Sequence, residues 1–513
     1  MSVSSRLISG TTASWMQIGV TLITQLTLVP LYLSYWDVTT YGLWLAVLAL
    51  SALLTSLDLG FQEYIGFEFL RFGKKRLPEL SKYLCSGLLI GIVMGIIQLL
   101  VIAGILFFGN IGALLGEQSA GRQAQLIYDA GIVLLVQSVA WLICGSIGGI
   151  LTRALATFGY FHRMAWWGVF SALMMNIAPA IAVIAGASLL QTGFIVAGIR
   201  IVADIPIYID MLQLLRKEGI TGTTPSLQLG WRILIKSILL SITGLFENLR
   251  QQGARLLLTP FTGAAGLAAF STMRTGTNVA MQGLHTITNP LMPELMLFLH
   301  NRDQERSDKA FGTVWIVSIS LLAPALVCAQ VIVEPLYEAW TRGRIPFNPW
   351  LFAALSASIL VYAIAQPAIA IVRGNNLLNA QLLISGLTAA IALAGIFLLV
   401  PWLGITGAGL GLLLAEIAAN IGFRIIAKRW LQHKGLIWPE KPFYRSAISV
   451  CIAIAAMGLI ILLPDYKWPL LVIAMLMLTW NCWRYWQLLP LLSTERAKHM
   501  ISSLPLFRLL FSR

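Results

Sequence analysis

Charge is what this sequence has least of. Asp, Glu, Lys and Arg together supply 11% of its 513 residues, against roughly 25% in soluble domains. Apolar residues make up 58% and the mean hydropathy is +0.81, more apolar surface than a soluble fold can bury. Cysteine is sparse as well: Cys85, Cys144, Cys328, Cys451 and Cys482 are odd in number and lack C-x-x-C spacing, which argues against a disulfide framework or a zinc ribbon and for packing roles. No G-x-x-x-x-G-K-[ST] loop occurs, which excludes the usual ATP-hydrolysing site. The five histidines (His162, His285, His300, His433, His499) are too scattered for a metal centre. Neither a metal nor a cofactor is expected. The connections on the expected outer side are short, the longest near 109–126 and 334–349, so no catalytic loop, and no enzyme, is expected.

What remains is a series of long apolar runs. Breaks at charged or Pro/Gly-rich points predict helices near 10–33, 41–61, 81–108, 127–150, 165–187, 192–214, 231–257, 266–298, 310–333, 350–372, 379–400, 405–427, 444–463 and 468–489. The first has no small-residue cleavage pattern and reads as a retained helix. The expected fold class is therefore all-α, a polytopic membrane protein with about fourteen transmembrane helices and no separate soluble domain. Its formal charge of +14 suggests nucleic acid only if the basic residues gather on one face, and here they are spread among loops. With the N-terminus cytoplasmic, 27 of the 35 Lys and Arg residues fall on the inner side, including Arg153, Arg163 and the Arg424–Arg445 stretch. Both termini are thus expected in the cytoplasm.

A weak repeat is visible. The segment from Thr192-Gly193 to Lys217-Glu218-Gly219-Ile220 resembles that from Thr406-Gly407 to His433-Lys434-Gly435-Leu436, 214 residues later. This predicts two pseudo-symmetric six-helix lobes, residues 1–220 and 221–440, followed by two additional helices and a cytoplasmic tail in 441–513.

Polar side chains are costly in lipid, so a stripe of them at helical spacing marks a partner helix or a watery cavity. Helix one carries Ser14, Gln17, Thr21 and Gln25, and helix two Ser51, Thr55, Asp58 and Gln62. Helix seven carries Ser241, Gly244, Asn248, Gln252, Arg255 and Thr259, and helix eight Ser271, Arg274, Asn278, Gln282, His285 and Asn289. Taken together they predict a shared cavity, lined among others by Gln17, Gln25, Asn248, Gln252, Asn278, Gln282 and His285. Arg250, Arg255 and Arg274 give it positive charge, and guanidinium forks suit phosphate. For Arg250 an ion pair with Glu247 competes with that reading; for Arg255 and Arg274 the rival is a salt bridge to Asp58 or Glu63. Asp58, Glu63, Glu247 and Glu416 are candidates for ion coupling, with structural carboxylates as the alternative. In helix six, Arg200 and Asp204 read as an i,i+4 pair, and Asp210 is a further intramembrane charge.

On Tyr41-Gly42-Leu43-Trp44, Leu57-Asp58-Leu59-Gly60, Arg373-Gly374-Asn375 and Gly404-Ile405-Thr406-Gly407-Ala408-Gly409-Leu410, the chain resembles the oligosaccharide flippases of bacterial surface-polysaccharide (O-antigen) synthesis. Those are relatives of multidrug and toxin extrusion transporters and of lipid II flippases. The resemblance implies two lobes rocking in alternating access, a lipid-linked oligosaccharide as substrate, and a place in the bacterial inner membrane among membrane lipids. A polysaccharide polymerase and glycosyltransferases would be its neighbours. Drug exporters of the superfamily typically carry acidic cavity residues, and helix one here has none, which favours an anionic substrate. A lipid II flippase, a cation-coupled exporter and a non-transporting scaffold are the alternatives.

Overall fold

A computed structural model describes residues 3–108, 122–220 and 222–488. The expected cytoplasmic tail, most of the 109–126 connection and the side chains of 285–294, His285 among them, lie outside the described part.

Every extended element among the described residues is a helix. In chain order α1 spans Val3–Tyr35, α2 Val38–Phe72 and α3 Leu77–Phe108. The fourth helix, α4, begins as Arg122–Ala140, widens to a π-helix over Trp141–Ile147 and resumes over Gly148–Ala156. Next come α5 (Phe161–Ile184) and α6 (Leu189–Lys217). One helical run, Leu227–His300, is divided at Gly263 into α7 (227–262) and α8 (264–300). Helix α9 joins Gln304–Val317, a π-helical turn at Ser318–Leu322 and Ala323–Thr341. The last five are α10 (Pro349–Gly374), α11 (Leu378–Leu403), α12 (Ile405–His433), α13 (Glu440–Leu462) and α14 (Lys467–Trp486). Eleven runs are long and apolar enough to cross a membrane, with α7 and α8 counted together. Helix α6, which carries Arg200, Asp204 and Asp210, is not among the eleven. The protein is an all-α polytopic membrane protein.

Several helix starts are set by capping side chains. Asp37 accepts from the Thr40 amide at 2.6 Å before α2, Ser188 and Gln191 form a capping box at α6, and Asn348 with Pro349 opens α10. The two segments of the weak repeat end alike. Ile220 N donates to Leu215 O at 3.0 Å, and Leu436 N to Leu431 O at 2.9 Å, the same helix-terminating hydrogen bond in both.

The largest boundary difference from the sequence reading is in helix two, expected near 41–61 but running on to Phe72, so Asp58 sits mid-helix. Gly60 serves contact, not termination: a Cβ there would lie 2.4 Å from the Ser241 Cα of α7. Gly42, in the Tyr41-Gly42-Leu43-Trp44 motif, is similar, since its Cβ would come within 2.0 Å of the Ala264 carbonyl oxygen.

The helices form two compact units. The first comprises residues 1–275, 338–346 and 385–408. In it α1 packs along α5, α5 on α6, and α2 against α3 and α4, around a core that includes Phe61, Ile65, Phe69 and Ile150. The second comprises 276–337, 347–384 and 409–513. Its centre is α10, almost wholly buried, beside an aromatic cluster of Phe311, Trp315, Trp438 and Phe443. Helices α13 and α14 belong to this unit: Asn481 donates to Ser449 Oγ at 2.7 Å, and Tyr485 to the Gly312 carbonyl at 2.9 Å.

At Gly263 the backbone takes φ 68° and ψ 180°, a region open in practice only to glycine. The chain doubles back there, because Arg274 Nη1 reaches the Gln251 carbonyl at 2.6 Å across the fold. A Gly263→Ala substitution is expected to cost about 1–3 kcal/mol, read as a lower melting temperature of the detergent-purified protein. An unchanged melting temperature would mean that the bend does not depend on this residue.

Candidate functional site

The α7–α8 hairpin brings together three arginines of the first unit that lie within long apolar helices. Arg250 and Arg255 lie on one arm and Arg274 on the other, and Arg274 stands within electrostatic reach of both. All three are half-buried. Arg255 Nη1 donates to Gln252 Oε1 at 3.2 Å, while its Nε has no hydrogen-bond partner among the described residues. A buried donor left without an acceptor costs about 1–3 kcal/mol, and like charges gathered in a low-dielectric region repel one another. An anion would relieve both penalties.

Tyr41, at the start of α2, joins this group. It is buried, lies beside Thr272 of α8 and is within reach of the Arg255 charge. Thr272 Oγ1 is likewise buried without a hydrogen-bond partner. The close approach of Gly42 to Ala264 explains the placement, since it seats this end of α2 at the apex of the hairpin. Tyr41 was noticed in the sequence only as part of a motif, because its neighbourhood to Arg255 exists only once the hairpin has formed.

A second polar group is centred on Asp58, which is 4% exposed. Its Oδ2 accepts from Gln62 Nε2 at 3.0 Å and from Trp141 Nε1 at 2.9 Å, and its Oδ1 from Ser146 Oγ at 3.2 Å. Gln62 also donates to the Gly145 carbonyl at 3.2 Å, and Arg153 Nη1 donates to Gln62 Oε1 at 3.2 Å. The π-helix makes this possible. Trp141 and Ser146 are five residues apart, about 140° round an α-helix, but a π-turn brings such a pair onto one face. The stripe on helix two, read from sequence as cavity lining, thus turns its Asp58 and Gln62 towards α4. The sequence does not mark Arg153 or Trp141 as partners of this group: Arg153 reads as one of the inner-side loop cations, and nothing in the helical spacing singles out Trp141.

The remaining sequence-level candidates are distributed as follows. Asn248 donates to the Gly244 carbonyl one turn back at 3.2 Å. Gln17 faces Gly168 of α5, its Oε1 being 3.7 Å from where a Cβ would stand. Gln25 and Glu247 are half-buried in the first unit, and Asn278, Gln282 and Glu416 in the second. Glu63 is exposed and within electrostatic reach of Arg153. Arg200 lies 5.3 Å over the Trp141 ring. Asp210 is held by Arg163 through both oxygens, at 2.9 and 2.5 Å, and by Trp167 Nε1 at 2.7 Å, which identifies it as a structural ion pair. Among the described residues no three His, Cys, Asp or Glu side chains are grouped as a metal site would require.

No protein-family profile and no curated protein sequence matches this chain. Solved structures do. The lipid II flippase MurJ in an inward closed conformation superposes with a TM-score of 0.66 at 14% identity, covering 93% of this chain and 98% of that one. An outward-facing multidrug resistance MATE family transporter of the MOP superfamily gives 0.56 at 14% identity, over 84% of this chain and 96% of that one. A MOP superfamily transporter from Pyrococcus furiosus, described as having a binding pocket of reversed polarity, gives 0.55 at 12% identity over 84% and 96%. At such identities the likeness is one of fold.

Proposed function

We propose that this protein is a flippase carrying an undecaprenyl-diphosphate-linked oligosaccharide across the bacterial inner membrane by alternating access. The observation that supports this most is the gathering of Arg250, Arg255 and Arg274 on the two arms of one hairpin, with the Arg255 Nε unsatisfied. A diphosphate offers that cluster several acceptors at once. In this reading Arg255 and Arg274 bind the diphosphate, aided by Arg250 and Tyr41. Asn248, Gln252, Gln17 and Gln25 meet the sugars, and the polyprenyl tail stays in the bilayer. The shared fold with MurJ and the MATE transporters accords with a transporter. Of the four carboxylates proposed for ion coupling, we favour Asp58, the one buried in a network that a displaced ion or proton would have to rearrange.

Reconstitution tests the reading. Proteoliposomes loaded on one leaflet with a fluorescent undecaprenyl-diphosphate oligosaccharide should expose the sugar to an external lectin only when the protein is present, and an excess of undecaprenyl diphosphate should compete. Equal lectin access without protein, or no competition, would overturn it. Lipid II is a second reading because the fold extends over 98% of the MurJ chain; exchanging the sugar for the lipid II head group in the same vesicles separates the two. Tyr41→Phe removes one hydroxyl beside Arg255 and should slow translocation about 2- to 10-fold, the equivalent of one ordinary hydrogen bond, with the melting temperature unchanged. A rate equal to wild type would remove Tyr41 from the site.

A further inference from the structure

The second unit holds a cluster that the transport reading does not use. At one end of α12, Arg424 and Lys428 are a helical turn apart and share the Glu440 carboxylate of α13: Arg424 Nη2 donates to Oε2 at 2.5 Å and Lys428 Nζ to Oε1 at 2.6 Å. Arg424 also lies 4.1 Å over the Phe443 ring and 5.1 Å over that of Tyr444, whose hydroxyl its Nη2 meets at 3.2 Å. A guanidinium fixed in this way has lost much of the entropy that binding would otherwise cost. One carboxylate against two cations leaves one positive charge in excess. Beside it opens a cleft of about 290 Å³ lined by Asn420, Ile421, Arg424, Ile425, Lys428 and Phe443.

The chemistry of the cleft changes along α12. From Arg424 towards the other end of the helix, Ile421, Ile417 and Leu414 are exposed and spaced three or four residues apart, so they form one apolar strip. Leu414 to Arg424 is ten residues, about 15 Å of helix, or half the roughly 30 Å hydrocarbon core. The charged end leads into the loop expected on the cytoplasmic side, where anionic lipids concentrate. A singly negative head group at the level of Arg424 and one leaflet's depth of hydrocarbon below it describe a phospholipid.

We propose that the α12–α13 cleft is a binding site for an anionic phospholipid, its phosphodiester on Arg424 and Lys428 and an acyl chain along Ile421, Ile417 and Leu414. The site is independent of the transport reading. The test uses the full chain in detergent, with lipid binding followed by native mass spectrometry and melting temperature during titration with phosphatidylglycerol, phosphatidylcholine or inorganic phosphate. Phosphatidylglycerol should bind at least about 5-fold tighter than phosphatidylcholine, and Arg424→Gln with Lys428→Gln should abolish that preference. Glu440→Gln separates a lipid site from a merely structural ion-pair network. Removing the carboxylate should tighten phosphatidylglycerol at least about 3-fold, whereas a structural network would lose stability and gain no lipid. Equal binding of the two lipids by wild type, the preference surviving the double substitution, or no gain in Glu440→Gln would overturn the proposal. So would inorganic phosphate reproducing the whole stabilisation, which would identify a free-anion site. Should the double variant not fold, Glu440→Gln and the wild-type comparison decide the matter alone.

Discussion

Arg255→Gln and Arg274→Gln should each reduce translocation roughly 10- to 100-fold, the loss expected when a charge-assisted hydrogen bond of about 1.5–3 kcal/mol is removed. Together they should leave almost none. Stability should move the other way. Arg274 feels the positive charges of Arg255 and Arg250, and Arg255 Nε is buried without a partner. Exchanging Arg255 for an uncharged side chain therefore removes repulsion as well as an unsatisfied donor, and the melting temperature should hold or rise. Binding groups often show this exchange between stability and function. An arginine that merely braced the hairpin would behave differently, with stability and transport falling together. Arg255→Lys discriminates further: it keeps the charge and loses the fork, so it should restore part of the rate if phosphate is the partner. Measuring melting temperature and vesicle translocation on the same preparations settles the assignment, and a Arg255→Gln protein that is destabilised but transports normally would refute it.

The second large effect belongs to Asp58. Replacing it by Leu leaves the donors of Trp141, Ser146 and Gln62 facing an apolar side chain in a buried place, and takes from Arg153, which reaches Asp58 through Gln62, one of the two carboxylates near it, Glu63 being the other. Breaking such a buried polar group costs about 3–5 kcal/mol, so Asp58→Leu should fold poorly or melt well below wild type. Asp58→Asn keeps one acceptor oxygen and the volume, and should cost about 1–3 kcal/mol. That variant carries the functional test. If Asp58 takes part in ion coupling, Asn should yield folded protein whose translocation no longer responds to a proton or sodium gradient across the vesicle. A folded Asn variant with the full gradient response would confine Asp58 to a structural role.

Much of this arrangement could be read from the sequence, and the part that could not has a common cause. Hydropathy located the helices because each run must satisfy its own backbone in lipid, and the division between helices seven and eight falls where Gly263 sits. The type of the charged residues was also legible, since Arg250, Arg255 and Arg274 stand out against an apolar background. Their mutual nearness was not, because it depends on the bend that folds α8 back along α7. Helical spacing showed that Asp58 and Gln62 share a face but could not say which neighbour that face meets. The π-helix in α4 decided it by turning Trp141 and Ser146 together towards α2, and the hydrophobic pattern of Trp141-Leu142-Ile143-Cys144 carries no sign of that extra residue per turn. Arg153 reads as a loop cation because it falls past residue 150, the expected end of the fourth helix, yet it lies in the last part of α4 and reaches back to Gln62.

The bend at Gly263 contains no intervening loop, and this fixes more than direction. Both arms are counted from a single residue, so the places of Arg250 and Arg255 before it and Arg274 after it are set by number alone. One residue inserted in either arm would swing everything beyond it by about 100° and advance it about 1.5 Å, carrying one guanidinium away from the others. Side chains along this hairpin can be exchanged one at a time, but its length is frozen in a way that the polar connections elsewhere in the chain are not.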